Sequence, residues 1–356
     1  MIPCTFLPSS PLKILYFCPE EWQQLRVIYN EHYTKVFLYI HKKTKHIGAL
    51  KLYQRSKMNE REIKRKEYDF QREIKIHLMM DGIDHTLPLW FWFKTENEWG
   101  LMTKYMNHSF LLHRIYSYKT EDCMIYSVIY PLLKSVEYLH ENRIIHRDIK
   151  PENIFIHHHK IFLGDFGYSY ILSEENSVCG SLAGTLNYMA PELLAHYIDK
   201  NQLLEYRYEV DIWSIGIIVY ELLFHTKPFG WSDFKHYTRM DPTRPHFILK
   251  CLKTPLLFPS TAPTKNALNF IEVCLQKNPH QRATINELLR HPWIQTYLKN
   301  KKVNHLKNKC LQEIKTTTMP LTTMGRNSHS VVVVIADPQK EKTSKTWCWR
   351  NQCTMS

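Results

Sequence analysis

His146-Arg-Asp-Ile-Lys-Pro-Glu-Asn153 is the stretch on which the reading of this chain turns. It places an aspartate, a lysine and an asparagine within six residues. Asp165-Phe-Gly167 begins 17 residues after Asp148, and Ala190-Pro-Glu192 ends 25 residues after Gly167. A lone Asp or Asn is more often a turn residue, and one tripeptide is weak evidence; the fixed order carries the weight. Upstream, apolar residues alternate in three runs: Leu25 to Ile28, Val36 to Ile40 and Ala49 to Tyr53, with a polar turn at His41–His46 before the third. That pattern predicts antiparallel strands. Residues 59–80 are charged and then amphipathic, with Phe70, Ile74, Ile76 and Leu78, and predict a helix. Two further strands are expected near Leu89–Phe93 and Leu101–Tyr105. Downstream the periodicity is helical, over Glu121–Glu141, Val210–Phe224 and Ala267–Gln276. A strand-rich half followed by a helix-rich half predicts an α+β chain of two lobes with a cleft between them.

A chain of 356 residues has room for two such lobes and a tail. The nine cysteines are scattered, without a CxxC pair, which argues against a zinc ribbon or a disulfide scaffold and for a reducing, intracellular setting, cytoplasmic or nuclear. The longest apolar run, Trp213–Phe224, is short and carries Glu221, so no membrane span is expected. Pro3, Pro8 and Pro11 interrupt the N-terminus, which lacks a basic leading region and reads as an extension rather than a signal peptide. The net charge of +13 is uneven: residues 296–356 hold eleven Lys/Arg and three Asp/Glu, which gives +8 there and leaves +5 for the remainder. Such a tail attracts nucleic acid, acidic proteins or anionic membrane; the plain alternative is a solvated, disordered segment.

These motifs resemble the eukaryotic-type protein kinase superfamily, and serine/threonine kinases within it. The resemblance extends to Asp211-Ile-Trp-Ser-Ile-Gly216, to Arg282, to Ala49-Leu-Lys51 lying 15 residues past Val36, and to Glu73 lying 22 past Lys51. It implies a bilobal fold: a small antiparallel β-rich N-lobe with one main helix, and a larger helical C-lobe. The expected boundaries are an N-terminal extension at 1–21, a kinase domain at 22–298 (N-lobe 22–103, hinge 104–106, C-lobe 107–298) and the basic tail at 299–356.

The resemblance also assigns roles. Phosphoryl transfer asks the protein chiefly for positioning and charge neutralisation. Lys51 is expected to hold the ATP phosphates, with Glu73 fixing it. Asp148 is expected to orient the substrate hydroxyl or accept its proton, and Lys150 to neutralise the moving phosphoryl group. Asn153 and Asp165 offer the hard oxygens that Mg²⁺ prefers. Ile28, Val36 and Ala49 would cover the adenine, Thr103 would be the gatekeeper, and Tyr105 and Met106 the hinge contacts. Glu192 and Arg282 are expected to form a structural ion pair. The catalytic loop and Gly184-Thr-Leu-Asn-Tyr188 suit serine/threonine acceptors in protein substrates; no obligate oligomer is expected. Arg147 suggests control through the activation segment, with Ser173, Ser177 and Ser181 as acceptors and Thr185 in a structural part.

The chain departs from the family at the phosphate-covering loop. Aligned on Val36, the three glycine positions fall on Tyr29, Glu31 and Thr34, and only the loop-tip aromatic, Tyr33, is kept. Glycine allows close backbone approach to phosphates, and a cleft-facing Glu31 would repel them. His77, one turn after Glu73, replaces an expected leucine; it predicts either a loosened or pH-sensitive helix or a satisfied, partly buried histidine. A pseudokinase or weak nucleotide-binding scaffold is therefore the alternative to an active enzyme, against which stand the five retained polar residues Lys51, Glu73, Asp148, Asn153 and Asp165. In the tail, Val331–Ile335 is an isolated β-prone run. Cys353-Thr-Met-Ser356 has the form of a C-a-a-X box that would take a farnesyl group and bring the chain to a membrane, although Thr354 is not aliphatic; the plain alternative is a chance cysteine.

Overall fold

The computed structural model describes residues 2–3, 5–6, 16–31, 33–106, 120–157, 160–175, 177–229, 249–250, 252–260 and 263–299. The tail features, Val331–Ile335 and Cys353 included, lie outside these residues, as does the side chain of Glu31.

Three two-residue strands, β1 (Ile2–Pro3), β2 (Thr5–Phe6) and β3 (Tyr16–Phe17), precede the long strands β4 (Trp22–Glu31), β5 (Thr34–His41) and β6 (Ile47–Gln54). Helix α1 (Glu60–Met79) follows, then β7 (Leu89–Lys94) and β8 (Glu98–Lys104). The sheet has six strands in the order β2-β7-β8-β6-β5-β4. The five long ones are the strands the sequence predicts, three of them from alternation. The sixth comes from the N-terminal extension, where Thr5 pairs with Trp92 and Phe6 with Phe91, covering part of an otherwise open edge.

Alternation divides the N-lobe core. Leu50 and Leu52 point to one face, with Trp22, Trp90, Phe93 and Met102. Tyr53 points to the other, with Phe70, Ile74, Leu89, Trp99 and Leu101. A Cβ on Gly48 would lie 2.5 Å from Met102 Sδ and 2.9 Å from the Trp90 ring, so glycine is required where those side chains cross the sheet. Helix α1 starts at a capping box: Asn59 Oδ1 accepts from Glu62 N and Glu62 Oε2 accepts from Asn59 N, both at 2.9 Å. Its buried stripe is Phe70, Glu73, Ile74, Ile76 and His77, a helical spacing that carries two polar residues into the interior.

In the C-lobe, α2 (Glu121–Met124) runs through one wide π turn at Ile125–Ile129 into α3 (Tyr130–Glu141). Pro131, with no N–H to donate, sits just past that turn. The short strand β9 (Ile144–Ile145) pairs with β12 (Tyr170–Ile171), and β10 (Ile154–His157) with β11 (Lys160–Leu163). Then come α4 (Pro191–Ile198), α5 (Glu209–Phe224), α6 (Lys265–Cys274), α7 (Ile285–Arg290) and α8 (Pro292–Lys299). Helix α5 is buried at every position from Val210 to Leu222 and forms the axis of the lobe's core. The lobes are tied behind the cleft: Leu163 N donates to His85 O and Leu87 N to Leu163 O, each at 2.8 Å, while Tyr138 OH donates to Met79 O at the end of α1. This α+β, two-lobed arrangement is the predicted fold class. No helix among the described residues is long and apolar enough to cross a membrane.

Candidate active site

The β9–β12 ladder and the β10–β11 hairpin bracket the two loops that carry residues 146–153 and 164–169. Asp211, fully buried at the start of α5, ties the first loop down. Its Oδ2 accepts from His146 N at 2.8 Å, its Oδ1 from Arg147 N at 2.8 Å, and His140 Nε2 lies 2.9 Å from Oδ2. Burial pushes the Asp211 carboxyl up, but the hydrogen bond and charge of His140, with further help from His146, hold it below its ordinary value. That anchor stabilises an unusual backbone at Arg147, whose φ is 68°; in the second loop Asp165 is likewise left-handed and non-glycine, at φ 61°. Gly184, at φ 114°, lies where an added Cβ would come 2.6 Å from Arg147 O.

The polar side chains interlock around Asp148. Thr185 Oγ1 donates to Asp148 Oδ1 at 2.7 Å, Lys150 Nζ lies 2.7 Å from Asp148 Oδ2, and Lys150 Nζ donates to Thr185 Oγ1 at 2.8 Å. Asn153 Nδ2 donates to Asp148 O at 2.8 Å and to Asp148 Oδ2 at 3.0 Å, which fixes the amide and leaves its Oδ1 as the atom for another ligand. Gly164 N donates to Asn153 O at 3.0 Å, so the hairpin sets Asn153 one residue away from Asp165. His146 is buried and accepts at Nδ1 from Asp148 N, so Nε2 carries the proton toward Gly164 O; burial keeps its pKa low.

On the N-lobe side Lys51, in β6, joins both lobes. Its Nζ lies 2.9 Å from Glu73 Oε1 and 3.1 Å from Asp165 Oδ1. Burial works against the ammonium, yet the carboxylates of Asp165 and Glu73 outweigh it and hold its pKa well above the ordinary lysine value. The charge of Lys51 is in turn the main cause that brings the Asp165 carboxyl down to about 2. Asp165 is thus ionised at neutral pH, and its side chain keeps 41% of its exposure. Two further contacts hold α1 inward. Arg72 Nη2 donates to Gly167 O at 3.2 Å, and His77 meets the Phe166 ring edge-on with centroids 4.9 Å apart. His77 is buried, and burial, followed by the charge of Lys51, lowers its pKa to about 3. His77 is thus buried more deeply than expected, and burial favours its neutral ring at neutral pH.

An ionised, partly exposed carboxylate and an amide oxygen from the neighbouring loop fit a hard cation that retains water and phosphate oxygens as its other ligands.

Ile28 falls at a register shift of the β4–β5 ladder; Val36 pairs with Lys51 and Ala49 with Thr103 across the sheet. Thr103 Oγ1 lies 3.4 Å from Ala49 O. The Tyr105 amide donates to Ile47 O at 3.0 Å and is committed within the protein, while the Tyr105 hydroxyl accepts from Arg26 Nη2; Met106 is buried. The glycine-free hairpin closes through Tyr29↔Val36, Asn30↔Lys35 and Glu31↔Thr34. Tyr33 O accepts from Gln54 N at 2.8 Å, its ring packs against the α1-side core, and Lys66 of α1 sits 5.7 Å above it.

The protein kinase domain model matches residues 22–294. The chain belongs to the protein kinase family. Among its relatives, an Aurora kinase of Debaryomyces hansenii is 32% identical over 267 residues, 73% of this chain and 58% of that one. An Aurora kinase of Candida glabrata is 33% identical over 274 residues, 75% of this chain and 68% of that one. Serine/threonine-protein kinase 36 of Mus musculus is 30% identical over 278 residues, 77% of this chain but 19% of its own length. The match to the first of these spans well under two thirds of that relative.

For this kinase domain the motifs indicated most of the polar cluster but not its supports. Thr185, expected to be structural, touches both Asp148 and Lys150. Asp211 is part of a quoted motif, yet only the fold shows that it holds the two backbone amides before Asp148. Tyr53 has no motif; its hydroxyl donates to Glu73 Oε2 at 3.1 Å. Arg147 Nη1 donates to Ser181 Oγ, Ser181 O and Tyr206 OH and meets Cys179 Sγ, so of the three serines expected as acceptors Ser181 is in direct contact with it. Glu192 and Arg282 form a two-pronged ion pair at 2.6 and 2.7 Å.

Proposed function

We propose that this chain is an ATP-dependent serine/threonine protein kinase working with a glycine-free phosphate loop. The observation that carries the reading is Lys51 bound to Glu73 and Asp165 at once, with α1 turned inward. A domain retained only as a scaffold has no use for a half-buried lysine shared between two carboxylates, an arrangement costly to leave incomplete.

Lys51 holds the nucleotide phosphates. Asn153 and Asp165 are the residues that hold magnesium, which when bound neutralises phosphate charge. Asp148 orients the acceptor hydroxyl and takes its proton, its carboxylate fixed by Thr185 and Asn153. Lys150 offsets charge on the transferred group. Among the described residues Glu152 Oε2 is buried without a hydrogen-bond partner, which favours substrates with a basic residue near the acceptor. The scattered free thiols Cys18, Cys123, Cys179 and Cys274 support an intracellular protein.

The glycine-free loop favours a second reading, a weak nucleotide-binding scaffold without turnover. The two part in an assay of Mg·ATP-dependent incorporation into a generic basic protein. Asp148→Asn is expected to lower kcat by ~10³-fold. Equal incorporation by wild type and variant overturns the catalytic reading.

A further inference from the structure

We propose that Tyr53 is a positioning residue of the nucleotide site, holding Glu73 in place so that Lys51 stays centred between Glu73 and Asp165. The proposal rests on the kinase reading and deepens it.

Tyr53 lies two residues after Lys51 on β6, so the strand's period sends both side chains to the same face. Its ring is buried and set edge-on against Phe70 of α1, centroids 5.8 Å apart. A ring wedged in this way fixes its hydroxyl without the entropy cost of a long flexible chain. The hydroxyl donates to Glu73 Oε2 at 3.1 Å, while Lys51 Nζ is nearer to Oε1, at 2.9 Å, than to Oε2, at 3.3 Å. Burial, and after it the charge of Glu73, pushes the phenol's pKa far up, so it remains a donor at every working pH.

One ammonium serves two carboxylates here, since Lys51 also lies 3.1 Å from Asp165. A buried Oε2 without its own donor would pull Lys51 toward Glu73 or let α1 swing outward. The phenol supplies that donor without adding charge, and Lys51 keeps its reach toward Asp165 and the phosphates. With no glycine at positions 29, 31 and 34, the placement of Lys51 carries more of the task of holding phosphate.

The test is a double-mutant cycle of Tyr53→Phe with Glu73→Gln, which keeps the ring and its packing. Binding of a fluorescent ADP with Mg²⁺ and the KM for ATP are measured in each variant, alongside Tm. Tyr53→Phe is expected to weaken nucleotide binding and raise KM by about tenfold in the wild type, the effect of losing a hydrogen bond to a charged group. In the Glu73→Gln background it is expected to change either value by less than about twofold. Equal losses in both backgrounds, or no loss in the wild type, overturn the proposal. Because binding is read apart from turnover, a chain that binds nucleotide but does not phosphorylate sinks the kinase reading alone. A wild type that binds no nucleotide sinks both.

Discussion

In the catalytic loop, the central groups are held by named partners: Asp148 by Thr185, Lys150 and Asn153, and the backbone of His146 and Arg147 by Asp211. In the β4–β5 hairpin across the cleft, the tip stands on ladder pairing, on Tyr33 packed against the core and on Lys66 above its ring. The first region depends on particular residues at particular atoms. The second depends on sheet register and buried area, which many side chains can supply. That contrast explains how one region keeps every motif residue while the other has lost all three glycines. Where the backbone is fixed by a sheet, substitutions leave the hairpin standing even when they change what it can do for a phosphate.

The largest effect is expected from breaking the scaffold beneath the C-lobe site. Arg282→Ala removes a fully buried guanidinium bonded to Glu192 and to the carbonyls of Gln276, Glu209 and Lys277. Loss of one partner of such a pair is expected to cost ~3–5 kcal/mol in urea unfolding. A cost near zero would mean the lobe does not rest on it.

At the joint between the two regions, His77 gives a pH dependence of known sign. The unfolded histidine binds a proton near its ordinary pKa of 6.5, and the folded one refuses it down to about 3. The folded state therefore loses stability as pH falls through that window, by ~2 kcal/mol at pH 5, and is indifferent above it. In His77→Leu the loss should vanish, so the variant gains on the wild type between pH 7.5 and pH 5 in denaturant melts. A constant difference between the two proteins at both pH values would contradict a neutral His77 in the fold.

The smallest effect is expected at the hairpin. Glu31→Gly removes a negative charge and frees the backbone, and should lower the KM for ATP by roughly two- to fivefold with little change in Tm. An unchanged KM would show that the loop's departure from the family is harmless.

The sequence by itself determined the two-lobed architecture and the polar cluster. Alternation marked the first three long strands, apolar runs the other two, and the intervals from Val36 to Lys51 to Glu73, and from Asp148 to Asp165, marked residues that the fold brings together. The strands and helices are legible because each repeats with its own period, whereas those intervals are legible only through the resemblance to protein kinases. Only the tertiary structure decided the supports. Tyr53 meets Glu73 across the gap between a strand and a helix, His77 meets Phe166 across the lobes, and Thr5–Phe6 joins the sheet beside β7. A tyrosine two places after Lys51 reads as one more strand residue, and a histidine in α1 reads as polar. Their roles come from burial and from neighbours far along the chain, which no local pattern encodes. For the same reason the low proton affinity of His77, legible only as a question, follows from the depth at which α1 packs.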